Sequence, residues 1–154
     1  KQFGPDFFKD LKANGARVGK GSGQVIDDTA SGELAASLAV DYITNAKIAK
    51  GAHIQMCYPP ELLVVPSPVA IFKDSTKMEA AQKFVDYLLG QEAQQLVANQ
   101  GTIPVREDVK IDPKYQLPSP KAALEKGIKV NYHEIIDSKE KIVKDFTELM
   151  QVKK

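Results

Sequence analysis

Residues 65–109 read VPSPVAIFKDSTKMEAAQKFVDYLLGQEAQQLVANQGTIPVREDV, and this stretch decides more about the chain than the rest of it. Its opening run, Ser67 to Phe72, is rich in strand-favouring residues. A short charged turn follows, and then Ala80, Ala81, Phe84, Val85, Leu88 and Leu89 recur at three- and four-residue steps. That spacing places them on one face of a 3.6-residue period and predicts an amphipathic helix. After Gly90 a second helix is expected from Gln91 to Asn99, and the stretch leaves through Gly101-Thr102-Ile103-Pro104-Val105-Arg106.

Working outward, Pro5 to Asn14 predicts a helix with Pro5 in its first turn and a stripe of Phe7, Phe8 and Leu11. Gly15 stands where a left-handed residue ends a helix. Ala16 to Val18 is a strand candidate, Gly19 to Gly23 a flexible turn, and Gln24 to Ala30 a helix. Leu34 to Val40 (LAASLAV) is small and apolar on both faces, as a buried strand is. Asp41 to Lys50 returns to helix with Gly51 as its stop, and His53 to Tyr58 is a further strand candidate. Prolines break the chain at 59, 60, 113, 118 and 120, with a short helix expected from Pro120 to Lys126. The last helix is expected over Ser138 to Val152, with Ser138 as N-cap and Ile142, Val143, Phe146, Leu149 and Met150 as a buried stripe. Helix and strand in alternation argue for an α/β fold.

Composition narrows the function. The chain has 154 residues, 43% hydrophobic and 27% charged, with a net charge of +1. Such a balance gives no field to hold nucleic acid or an anionic membrane. The single cysteine, Cys57, excludes an internal disulfide framework and any multi-thiolate metal site. No Gly-x-Ser-x-Gly, His-Glu-x-x-His or nucleotide-binding fingerprint occurs, so enzyme chemistry finds no foothold and no cofactor is implied.

The order strand, charged turn, AAQKFVDYLLGQEAQ helix, then GTIPVR resembles the return segment of solute-binding proteins of ABC importers, in the group associated with iron, phosphonate and phosphorylated solutes. The resemblance covers most of residues 1–109; beyond 110 only a terminal amphipathic helix is shared. It implies an α/β, periplasmic-binding-protein-like lobe of type II, with three α/β/α layers, forming the C-terminal portion of a two-lobed protein. On that reading residues 1–58 belong to the second lobe, 59–67 form the hinge or crossover, and 68–154 hold the return strand and C-terminal helices. The implied setting is extracytoplasmic, periplasmic or lipid-anchored, although no signal precedes Lys1. The implied partners are a membrane permease, a small anionic solute and the missing N-terminal lobe, without which the chain is expected to self-associate or be marginally stable.

Three places carry candidate ligand contacts. Ser22, Gly23 and Gln24 lie where backbone N–H groups and a helix dipole meet an anion, and Ser22 either caps that helix or donates to a ligand. Asp41 and Tyr42 follow the 34–40 segment, and Asp41 either accepts from a solute hydroxyl or amine or caps the next helix. Tyr58 ends the following strand candidate. Were the cargo ferric ion, Asp41, Tyr42 and Tyr58 would supply oxygen ligands, but the adjacent tyrosine pair common in ferric-binding relatives is absent. His53 and Cys57, four residues apart on one extended run, stand roughly 13 Å apart, too far for a nucleophile and its base. Cys57 reads as a small buried hydrophobe.

Two other classes stand beside transport. An effector-binding domain of a transcriptional regulator uses a related two-lobed fold, and an upstream helix-turn-helix would mark it. A small enzyme on a doubly wound sheet would need a nucleophile–base pair, which the chain does not offer.

Overall fold

A computed structural model describes residues 3–150, and in it the regular structure is helical. The helices are α1 (Asp6–Ala13), α2 (Ser22–Ala30), α3 (Asp41–Ala49), α4 (Met78–Leu89), α5 (Gln91–Asn99), α6 (Pro120–Glu125) and α7 (Tyr132–Met150), with a 3₁₀ turn at Pro113–Tyr115. Most follow the local rules that predicted them. Gly15 and Gly51 end their helices at φ +87° and +93°, a region that costs other residues a Cβ clash. At α6, Ser119 Oγ accepts from the Ala122 amide at 3.1 Å, and Pro120 fills the first turn.

The expected α/β/α layering is not present. Among the described residues no strand ladder forms, and the strand candidates at 16–18, 34–40, 53–58 and 67–72 lie outside regular structure. The single β contact among them is an isolated parallel bridge between Leu62 and Gly127. A strand exists only where a neighbour takes up its backbone N–H and C=O groups, and none of these segments lies beside another in that way. Leu38, within the run read as a buried strand, is 99% exposed. The helices instead pair with one another: α1 with α7, α2 with α3, and α4 with α5.

The start of α7 also differs from expectation. Asn131 Oδ1 accepts from the Glu134 amide at 3.3 Å and caps the helix, which begins at Tyr132. Ser138 therefore sits inside the helix, and its hydroxyl donates back to the Glu134 carbonyl, a bond that interior serines commonly make. The stripe expected to be buried is half open, with Ile142 and Val143 both exposed. Its one aromatic contact is Phe146, edge-on to Phe8 of α1 with centroids 5.5 Å apart. The expected helix end at Val152 lies outside the described residues.

The core is small: Ile26, Leu62, Ala93, Ala98 and Ala123 are its buried hydrophobic residues, joined by Pro104. Much of the order beyond α5 comes from polar side chains on that helix. Gln94 Nε2 donates to the Leu88 carbonyl at 2.7 Å, while its Oε1 accepts from the Val105 amide at 2.8 Å. Gln95 holds the backbone of Lys110 through both N–H and C=O, and Gln91 donates to the Asp108 carbonyl. Tyr115 closes the loop by donating to the Asn99 carbonyl at 2.8 Å. Three glutamines of α5 thus fasten the loop that follows it.

Candidate functional site

Of the residues singled out from sequence, the fold joins Asp41 and Tyr58. Asp41 is the first residue of α3, where the helix dipole favours a carboxylate. Its Oδ1 accepts from the Tyr42 amide at 2.8 Å, and its Oδ2 accepts from the Tyr58 hydroxyl at 3.3 Å. Asp41 thus accepts from its neighbour's N–H without capping the helix, since Val40 stands at the N-cap position and no side chain caps α3, and its other oxygen lies toward Tyr58. Burial raises the Tyr58 phenol well above the usual tyrosine range, and the charge and hydrogen bond of Asp41 raise it further. The phenol stays protonated as a donor. Tyr42 follows on α3 with its side chain exposed.

Ser22, Gly23 and Gln24 occupy the first turn of α2 rather than the turn before it. Gly21 is the residue at the N-cap position, no side chain caps the helix, and no acidic residue lies in the first turn. The Gln24 Oε1 accepts from the Lys20 amide at 3.0 Å, which folds the glycine-rich turn back onto the helix. No hydrogen bond links these residues to Asp41, Tyr42 or Tyr58 among the described residues. The two groups sit on neighbouring helices, since α2 packs on α3 and Lys47 pairs with Asp27 across them.

Cys57 is exposed, contrary to its reading as a buried hydrophobe, because the segment 52–58 forms no ladder that would enclose it. Among the described residues no cluster of His, Cys, Asp and Glu is arranged to hold a metal ion. A shallow cleft of about 490 Å³ lies elsewhere, between Pro60–Glu61 and the 125–129 segment, and none of the six sequence-selected residues lines it.

Sequence reasoning passed over the polar turn behind Asp41. Thr44 and Asn45 are buried; Thr44 Oγ1 donates to the Val40 carbonyl at 2.9 Å and Asn45 Nδ2 to the Gly101 carbonyl at 2.9 Å. Asn45 ties the helix carrying Asp41 to the turn after α5, and Gly101, at φ +74°, lies against it. The available signal was a helix, DYITNAKIA, with too few apolar residues to be held by an apolar stripe.

No helix among the described residues is long and apolar enough to cross a membrane. No curated protein and no solved structure matches the chain. A protein-family match, described as bacterial extracellular solute-binding protein, spans residues 3–127 and so takes in both candidate groups, α1 to α6 and the Leu62–Gly127 bridge, leaving α7 outside. The chain belongs to the bacterial extracellular solute-binding protein family.

Proposed function

We propose that the chain captures a small solute carrying an anionic group at one end and hydroxyl or amine donors at the other, such as a sugar phosphate or an aminoalkyl phosphonate, for delivery to an ABC permease. The observation that carries this reading is the pair of unlike helix starts on the adjacent helices α2 and α3. The α2 start has glycines and no side-chain cap or acidic residue, which suits a phosphoryl or phosphonyl group on backbone N–H donors. The α3 start carries Asp41, which would repel that group and instead accepts from hydroxyls or amines, with Tyr58 fixing its second oxygen. Tyr42, exposed beside Asp41, offers an aromatic face and a donor.

Capture on this reading is non-covalent, consistent with a family that typically performs no chemistry. Closure follows rotation about the proline-rich stretch 59–67, in which Leu62 is the anchored point. Ferric ion is the second cargo: Asp41 and Tyr58 already place two oxygens together, and a bound cation would displace the proton that Asp41 now holds on Tyr58.

Isothermal titration separates these cargoes. Glucose 6-phosphate and 2-aminoethylphosphonate are expected to bind more tightly than glucose or inorganic phosphate, because each of the latter fills one end only. Asp41→Asn is expected to weaken the two-ended ligands by roughly ten- to a hundredfold, the loss of a charged acceptor, while leaving inorganic phosphate unchanged. Tighter binding of ferric citrate than of any phosphorylated ligand would replace the proposal with the ferric reading.

A further inference from the structure

The cleft between Pro60–Glu61 and the 125–129 segment is tied together by backbone. At Leu62 the N–H donates to the Lys126 carbonyl and the C=O accepts from the Ile128 amide, both at 2.8 Å. The chain bends at Pro60 and Glu61 immediately before this anchor. On the other side α6 ends at Glu125, and the Lys126 and Gly127 amides donate back to the Ala122 and Leu124 carbonyls, both at 3.1 Å. Gly127 lets the two sides approach, because a Cβ there would lie 3.2 Å from the Ala123 carbonyl oxygen and 3.4 Å from Val64 Cγ2.

The cleft holds about 490 Å³, within the roughly 300–1,000 Å³ of small-ligand sites. Pro60 and Ile128 supply the apolar part of its lining, and four charged side chains complete it. Glu125 stands 4.0 Å from Lys121 of its own helix. Glu61 lines one side and Lys126 and Lys129 the other, and none of these three has an ion-pair partner among the described residues. Elsewhere Arg17, Lys47, Arg106 and Lys114 each reach a carboxylate. Opposite charges that line one space without meeting are complementary to a molecule that carries both.

We propose that this cleft binds a short peptide with free termini, its ammonium group at Glu61, its carboxylate at Lys126 and Lys129, and its middle over Pro60 and Ile128. A single α-amino acid carries both charges on one carbon, whereas a tripeptide spreads them over about 10 Å and reaches both sides. None of Ser22, Gly23, Gln24, Asp41, Tyr42 and Tyr58 lines the cleft, so the site is separate from the one proposed for the solute.

A nuclear magnetic resonance titration with trialanine tests the site. Saturable shifts are expected at the Leu62, Gly127 and Ile128 amides, with a Kd of about millimolar order. Acetylating the peptide's amino end or amidating its carboxyl end should each raise Kd roughly fivefold, the worth of one solvent-open ion pair. Glu61→Gln should weaken trialanine by the same factor yet leave N-acetyl-trialanine unchanged, because the interaction it removes is already gone. Lys126→Gln with Lys129→Gln should behave likewise toward the amidated peptide. All three side chains are exposed, so the variants should keep the wild-type circular dichroism spectrum. Asp41→Asn should bind trialanine as wild type does. Absence of shifts at those amides, equal binding of the blocked peptides, variants without effect, or loss of trialanine binding in Asp41→Asn would each overturn the proposal.

Discussion

Replacing Asn45 with alanine should loosen the join between the helix that presents Asp41 and the turn after α5. Asn45 is 3% exposed, and its Nδ2 donates to the Gly101 carbonyl at 2.9 Å, across 56 positions of sequence. Gly101 is itself buried, and its carbonyl has no other partner among the hydrogen bonds of the described residues. Alanine removes the donor and strands that acceptor, a loss of about 1–3 kcal/mol. For a domain of this size about 2 kcal/mol lowers Tm by roughly 4–8 °C. Asn45→Asp is the informative companion, because it keeps the side-chain volume but sets an acceptor against an acceptor. Thermal melts followed by far-ultraviolet circular dichroism at neutral pH should rank wild type above Asn45→Ala, and Asn45→Ala at or above Asn45→Asp. An Asn45→Asp variant that melts with wild type would refute the reasoning, since volume rather than the donated hydrogen bond would then hold the join.

Three further outcomes follow from the same geometry. Gly101→Ala should destabilise by about 1–2 kcal/mol from the positive φ alone, and by more because its Cβ would lie 2.9 Å from both Asn45 Cβ and Tyr115 Cδ1; urea unfolding measures the sum. Gln94→Ala, which leaves the Val105 amide and Leu88 carbonyl without their partner, should cost about 1–3 kcal/mol and speed amide exchange at Val105 while α1 is untouched. The Tyr58 proton is held more tightly in the folded chain than in the unfolded one. Its contribution to stability is therefore intact below the ordinary tyrosine pKa of about 10 and is lost as pH rises above it toward the raised folded value. In Tyr58→Phe this alkaline loss should be smaller, as read from urea midpoints between pH 8 and pH 11.

The helices were legible because helix signals are local. Apolar spacing, Pro5, Gly15 and Gly51 and the Ser119-Pro120 start all act within a few residues, and the structure follows them. The strands were not legible in the same sense. LAASLAV and HIQMCY have strand composition, but composition cannot supply the neighbour a strand needs, and in this fold neither run has one. The same gap left Leu38 and Cys57 exposed where burial was expected. At α7 a serine with the right identity for a cap lost to Asn131, which caps further upstream. In the candidate site, Asp41 and Tyr58 were singled out by their places after and at the end of apolar runs, but the hydrogen bond that joins them was not legible, because it spans 17 positions of sequence. Asn45, Gln94 and Gln95 were not, because their partners are backbone groups far along the chain that no local pattern announces.

The central claim is that this chain carries a solute. Native mass spectrometry of the chain after gentle purification, beside Asp41→Asn prepared in parallel, tests it most directly. The account predicts an added mass on the wild type that fragments to phosphate or phosphonate and is depleted in the variant. A retained mass that Asp41→Asn leaves unchanged, or bound iron in its place, would contradict it.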